Sequence, residues 1–253
     1  MHKIFAKPTF LGKKVIYLPT CHSTNEELQA RSKVEQLPEG TVVYAGHQTG
    51  GKGQRGNKWQ DEPGQNVLFS LLLRPSGLSV RKQHFLNLIT GLAVIMVLKD
   101  HLDQKFLKLK WPNDLYFQSR KMGGVLIENT VKAQKIESTI IGVGLNLNQV
   151  QNLPENATSM SLESRVTYDL DLVIGDVLSA VEFWYLRLRR SKYDQIIAAY
   201  HKALYWKDEP HIFKNREKYF SGVIRGIDSF GRLIVAIDEE QFTFEIKEIQ
   251  FID

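Results

Sequence analysis

Apolar and polar positions along this chain fall into short strand-like runs, then a helical period, then short runs again. VIYL, closed by Pro19, predicts a strand. CHSTNEELQAR follows, with Ser23–Glu26 and Thr24–Glu27 both at capping-box spacing, so a helix is expected to start at Ser23 or Thr24. TVVYAG is β-branched and leads as a strand into the glycine-rich GHQTGGKGQRGNKW. After Pro63-Gly64, NVLFSLLLRP reads as a buried strand ended by Pro75. Between Val80 and Leu102 the period changes: Phe85, Leu88, Ile89, Leu92, Ile95, Met96 and Leu98 share one broad helical face.

LKLKWPND alternates as a strand and stops at Pro112. LYFQSRKMGGVLIE predicts a hairpin turning near Ser119-Arg120, with Gly123-Gly124 inside the return strand. STIIGVGLNLNQ is another strand, followed by an Asn-rich loop. From Leu170 to Tyr205 the period is helical, with Val173, Val177, Val181, Trp184 and Leu188 in step. The tail is β only: FSGVIRGID, a turn at Asp228–Gly231, RLIVAID and FTFEIKEIQF. The expected fold is α+β, a mixed sheet packed with helices over residues 1–207 and a small β-barrel unit over 208–253.

Composition sharpens this reading. A chain of 253 residues suits one large domain with a small appendage, and 43% hydrophobic with 24% charged residues excludes general disorder. The single cysteine, Cys21, excludes an internal disulfide framework and fits a reducing compartment. No secretory h-region is visible, and the longest apolar stretch, Phe85 to Leu98, is short of the roughly 20 residues that span a bilayer. A soluble, cytoplasmic protein is expected. The net charge of +5 is uneven: residues 208–253 hold 6 Lys/Arg against 10 Asp/Glu, leaving the body with +9 and a preference for anions.

The candidate chemistry lies in two places. Gly46, Gly50, Gly51, Gly53 and Gly56 stand within eleven residues. Gly46–Lys52 fits the start of a Walker A loop, but Gly53 replaces the hydroxyl residue that would hold Mg²⁺. Gly51–Gly56 fits G-x-G-x-x-G, but no helix is expected after it. What remains is a loop whose N–H groups converge on an anion, with Lys52, Arg55 and Lys58 adding charge and Trp59 a flat face for stacking. A flexible surface loop is the alternative. The second place is Lys110-Trp-Pro-Asn-Asp114, followed seven residues later by Lys121-Met-Gly-Gly124. A hairpin would set Asp114 and Lys121 on neighbouring strands, where the lysine can stabilise negative charge and the carboxylate can accept a proton. Cys21 beside His22 reads as a bystander thiol, and the seven histidines show no metal-ligand spacing, so no metal site is expected from a protein motif.

STN at 23–25, GHQTGGKGQRGNKW at 46–59, KWPND at 110–114, KMGGVLIE at 121–128 and GVGLN at 142–146 resemble, in order and separation, the biotin protein ligases. SGVIRGIDSFGRLIV resembles that family's small SH3-like C-terminal domain. Only about twenty residues precede STN, so the chain looks like the short type without an N-terminal DNA-binding module. The resemblance implies a class II synthetase-like, biotin–lipoate ligase-like catalytic domain. It implies formation of biotinyl-5′-AMP from biotin and ATP with Mg²⁺, then transfer of biotin to a lysine of a biotin carboxyl carrier protein.

By the same resemblance Ser23, Thr24, Asn25 and Gln48 surround the biotin ring head, although Ser23 and Thr24 serve equally as helix caps. Lys52, Gly53 and Gln54 lie against biotin and the adenylate, in a loop expected to order on binding. Lys121 contacts the reacting carboxylate and phosphate, and Asp114 orients or deprotonates the incoming lysine. Gly123, Gly124, Gly142 and Gly144 leave room beside the ligand. Trp59 stacks on adenine, with Arg55, Asn57, Lys110, Asn113 and Asn146 around the nucleotide. The family's loop reads G-R-G-R where this chain has Gly51-Lys-Gly-Gln54, so Arg55 or Lys58 is expected to replace the lost charge. A lipoate or octanoate enzyme of the same superfamily is the alternative within enzymes. A basic nucleic-acid-binding protein is the non-enzyme alternative, disfavoured by the acidic tail. A homodimer is possible in such a family, but no residue decides it.

Overall fold

The computed structural model describes residues 5–252. The strands are β1 (Val15–Leu18), β2 (Val42–Ala45), β3 (Val67–Leu73), β4 (Leu107–Lys110), β5 (Asp114–Phe117), β6 (Arg120–Lys132) and β7 (Lys135–Leu145), then β8 (Pro210–Asn215), β9 (Lys218–Ile227), β10 (Leu233–Ile237), β11 (Glu240–Phe244) and β12 (Gln250–Ile252). The helices are α1 (Thr24–Val34), α2 (His84–Leu98), α3 (Met160–Ser164), α4 (Leu170–Arg189) and α5 (Tyr193–Ala203).

The first seven strands form one sheet in the order β1-β2-β3-β7-β6-β5-β4. Only β1 and β2 run parallel, so the sheet is mixed. Side-chain alternation assigns its two faces. Val42, Tyr44, Phe69, Leu71 and Leu73 join the main core under α2, α4 and α5. Val43, Leu72 and Ile140 join a smaller cluster with Leu28 of α1. Because both faces of β3 are covered, it reads as an apolar run interrupted only by Ser70.

The tail is a five-stranded antiparallel sheet, β11-β10-β9-β8-β12, in which every strand follows Asp208. Together with the mixed sheet it gives the α+β architecture expected. Tyr205 N–H donates to Leu109 O (2.9 Å), Asp208 N–H to Ile224 O (3.0 Å) and Trp111 Nε1–H to Gly231 O (2.9 Å), tying the two sheets together. Gly231 adopts φ +83° against His84, where a Cβ would lie 2.5 Å from His84 Cβ, so both conformation and space demand glycine.

Several elements differ from expectation. The helix expected over 170–205 is two helices, α4 and α5, separated at Ser191 with φ +54°. The one expected over 80–102 is a short 3₁₀ turn at Val80–Lys82 followed by α2, which ends at Leu98. Strands β6 and β7 form a second, longer hairpin whose turn, Ala133-Gln134, takes φ +48° and +63° without the Asn or Gly that would announce it. Strand β8 and helix α3 had no sequence signal. The capping box does not form: Ser23 is the α1 N-cap residue but its side chain makes no capping hydrogen bond, and Glu26 pairs instead with Lys52. No helix among the described residues is long and apolar enough to cross a membrane.

Candidate functional site

A cleft of about 240 Å³ opens on the α1 side of the mixed sheet. Its walls come from four segments far apart in sequence: the start of α1, the glycine-rich segment, the β5–β6 hairpin with its preceding loop, and β7. Residues Ile246 and Lys247 of the tail complete the rim.

The polar end is a connected network. Thr24 donates to Gln48 Oε1 through its backbone N–H (2.8 Å) and through Oγ1 (3.1 Å). Ser70 Oγ lies 2.8 Å from Thr24 Oγ1 and 2.5 Å from Asn25 Oδ1. Asn25 Nδ2 donates to Glu128 Oε2 at 2.7 Å. Ser23, Thr24 and Asn25 are all buried, so this end presents fixed hydroxyls and amides. Gly142 lies directly beneath: a Cβ there would stand 2.4 Å from Asn25 Oδ1.

The glycine-rich segment is itself a small hairpin. Lys52 and Lys58 face each other in an antiparallel bridge, closed by a 3₁₀ turn at Gln54–Gly56. No α-helix follows it, so it is neither a Walker A nor a dinucleotide loop. Its returning arm lays the Trp59 indole over Gly144, where an added Cβ would come within 2.8 Å of the ring. Trp59 Nε1 is buried without a hydrogen-bond partner among the described residues. Lys52 is ion-paired to Glu26, which raises the lysine's pKa and lowers that of the carboxyl, the hydrogen bond between them being the main cause.

The floor carries the charge. Lys121 Nζ lies 2.7 Å from Asp114 Oδ1, and the β5–β6 register sets Asp114 opposite Gly124. A Cβ on Gly124 would meet Asp114 Oδ1 at 3.2 Å and Lys121 Nζ at 3.7 Å, so this glycine makes space for the pair. Asn113 Nδ2 donates to Val125 O (2.6 Å) while Val125 N–H donates to Asn113 O (3.0 Å), locking the loop ahead of β5 to β6.

Among the residues named from sequence, the cleft brings together Ser23, Thr24, Asn25, Gln48, Lys52, Gly53, Gln54, Asn57, Trp59, Asn113, Asp114, Lys121 and Gly142. Gly123 lies behind this lining, packed against Gly144 O and Leu145. Asn146 is buried with its amide donating to Thr158 O at 3.0 Å. Lys110 points to the tail: its Nζ lies 4.7 Å from the Tyr116 ring centroid, 5.0 Å from that of Phe251 and 5.6 Å from that of Trp206. Arg55 lies in the 3₁₀ turn, and its side chain falls outside the described residues. Cys21 is buried, its thiol pushed up to about 11 by burial and then by Glu27, Asp61 and Glu26, so it carries little thiolate at neutral pH. Sequence reasoning missed Ser70, Glu128, Ile246 and Lys247. A hydroxyl in the middle of NVLFSLLL was the available signal for Ser70, whereas nothing local marks two tail residues as cleft-lining.

Residues 17–146 match the model of the family described as Biotin/lipoate A/B protein ligase family. The bifunctional ligase/repressor BirA of Bacillus subtilis is 32% identical over 181 residues, 70% of this chain and 55% of that protein. The chain thus spans about half the length of that curated relative. The protein of the same name from Escherichia coli is 30% identical over 234 residues, 90% of this chain and 70% of that protein. A solved biotin protein ligase from Aquifex aeolicus, in complex with biotin and ATP, superposes with a TM-score of 0.77 at 26% identity, covering 94% of this chain and 98% of that one.

Proposed function

The chain belongs to the biotin/lipoate A/B protein ligase family, and on that premise we propose that it is an ATP-dependent biotin–[acetyl-CoA-carboxylase] ligase. It joins biotin and ATP into biotinyl-5′-AMP with release of pyrophosphate, then transfers biotin to a lysine of a biotin carboxyl carrier protein. The observation that carries this reading is the order of the cleft. A polar, hydroxyl-rich end at Ser23–Asn25 and Gln48, a Lys121–Asp114 pair on the floor and the Trp59 ring line one continuous space.

Biotin enters with its ureido group toward Thr24, Asn25 and Gln48 and its carboxylate toward Lys121. One carboxylate oxygen attacks the α-phosphorus of ATP, a P–O bond forms, and the bond to the β-phosphate breaks as pyrophosphate leaves. Lys121 Nζ donates to the non-bridging oxygens on which charge accumulates. Trp59 and Gly144 form the face on which adenine stacks, and Asn113 and Asn57 border it. Once Lys121 turns to the phosphate, Asp114 is released from its ion pair to accept a proton from the acceptor ammonium. A free lysine, with pKa near 10.4, is otherwise protonated at neutral pH, and removing its proton costs roughly 4–5 kcal/mol. The neutral amine then attacks the acyl carbon, the C–O bond to AMP breaks, and the amide forms as the second N–H proton passes to solvent.

Asp114 is the one carboxylate among the described residues lining the cleft, too few for a protein-built metal cage. Mg²⁺ would come with ATP as the counter-ion of its phosphates, where it would offset their charge. We assign residues 1–207 to catalysis and 208–253 to closing the cleft, in keeping with the place of Ile246 and Lys247 on its rim.

Radiolabelled biotin, ATP and Mg²⁺ with a purified biotin carrier domain test the proposal. Label is expected on the carrier only when ATP is present, and to be lost in Lys121→Ala. Incorporation of lipoate or octanoate in place of biotin would move the chain to the lipoate branch of the family.

A further inference from the structure

The two arms of the glycine-rich hairpin are held very differently. The outgoing arm is fastened to the segment just before α1 by three backbone bonds: Cys21 N–H to His47 O (3.1 Å), Thr49 N–H to Cys21 O (2.9 Å) and Gly50 N–H to His22 O (2.9 Å). The returning arm, residues 57–61, is held by rungs back to the outgoing one. Two are backbone bonds, Gly53 N–H to Asn57 O (2.7 Å) and Trp59 N–H to Gly51 O (2.9 Å). The next rung is made by a side chain. Asp61 Oδ2 lies 2.8 Å from His47 Nδ1 and 3.4 Å from Gln48 N. Its carboxylate is fully buried and its Oδ1 has no partner among the described residues. With a carboxylate as acceptor, His47 Nδ1 must carry the proton. Below it the neck closes again on the backbone, Gly64 N–H donating to Gly46 O at 2.8 Å.

We infer that Asp61, working through His47, is the positioning residue for Trp59 and hence for the nucleotide half of the site. Burying a carboxylate is costly unless its hydrogen bonds are used, and this one spends them on the rung two residues from Trp59. Loss of Asp61 would take from Gln48 only the long backbone contact of 3.4 Å, and its side chain stays held by Thr24 beside the Cys21–His22 fastening. Losing the rung therefore frees the indole and leaves the ureido-binding end in place. The inference rests on the ligase reading for its ligands but not for its geometry.

Biotin-dependent ATP–pyrophosphate exchange by wild type, Asp61→Ala, Asp61→Asn and His47→Ala tests it, together with hydrogen exchange of the ligand-free protein. Asp61→Ala is expected to raise the KM for ATP about tenfold, the size of one charge-assisted hydrogen bond, with the KM for biotin nearly unchanged. Asp61→Asn keeps an acceptor for both partners and should restore most of the loss. His47→Ala, at a partly exposed ring, should show the same split more weakly and serves if Asp61→Ala does not fold. In the ligand-free protein, amides 57–61 should exchange faster in Asp61→Ala than in wild type, whereas those of Thr49 and Gly50, bonded to Cys21 O and His22 O, should not. Equal rises in both KM values, no rise at all, or unchanged exchange of 57–61 would overturn the inference. Wild type without biotin-dependent exchange would sink the ligase reading, and the hydrogen-exchange comparison would still judge the rung.

Discussion

Two of the segments that wall the cleft are hairpins, and they are made differently. The β5–β6 hairpin is part of the mixed sheet: it has ladder partners on both sides, β4 and β7, and its residues Asp114 and Lys121 are set by register. The glycine-rich hairpin stands outside that sheet and is closed by a few rungs, one of them a side chain. On the proposed function the former would fix charge where bonds are made and broken, and the latter would drape an aromatic face and a glycine backbone over the ligand. Chemistry that tolerates little displacement is placed on strands, and enclosure is placed on a loop.

The largest effect should come from the floor. Lys121→Ala should lower biotin-dependent adenylate formation by about 10²–10³-fold, the scale seen when one charge-stabilising donor is lost. Its melting temperature should stay near wild type, because the Lys121–Asp114 pair is partly exposed to solvent. A large fall in melting temperature alongside the activity would break the division between chemistry and scaffold.

Two glycines sharpen the comparison next. Gly142→Ala should push Asn25 aside and weaken biotin, and Gly144→Ala should lift Trp59 and weaken ATP. Overpacking of this kind costs about 1–3 kcal/mol, so calorimetric titration should show a selective loss of about fivefold or more in each. Equal loss of both ligands in both variants would mean that the cleft responds as one piece. Trp59→Ala, which removes the stacking face without touching the sheet, should cost ATP binding about 1–3 kcal/mol and leave biotin titration curves nearly unchanged.

The smallest effect is a pH dependence on the floor's side. His84 touches Gly231, the residue whose carbonyl receives the Trp111 indole, and burial lowers its pKa from 6.5 to about 4. The fold thus holds His84 neutral, and its contribution is complete above about 6.5 and lost as the pH falls toward 4. Thermal unfolding across that range should show stability falling with acidification, and His84→Leu should flatten the slope. An unchanged slope would assign the acid sensitivity to other groups.

Much of this was legible in the sequence for physical reasons. The Asp114–Lys121 pairing followed from a strand, a turn and a return strand, because hairpin geometry is local. The strand β3 was visible because both its faces are buried. Three things were not visible. Ala133-Gln134 makes a hairpin turn with residues that do not ordinarily favour positive φ. Ser23 looked like a helix cap, because spacing alone cannot distinguish a hydroxyl that caps from one that faces a cleft. Lys110 sits inside a motif yet turns to the tail, since alternate residues of a strand face opposite ways and its neighbours there are the aromatic rings around Trp206.

The bond between Trp111 and Gly231 and the place of Ile246 and Lys247 on the rim put the tail against both the loop ahead of β5 and the cleft's mouth, so a ligand in the cleft is expected to steady it. A ligand that needs the tail in place resists its detachment by mass action, about 2.7 kcal/mol at one hundred times its dissociation constant. A protease that cuts only when the tail detaches would then act as an occupancy gauge, its cleavage of residues 208–252 slowing as the cleft fills.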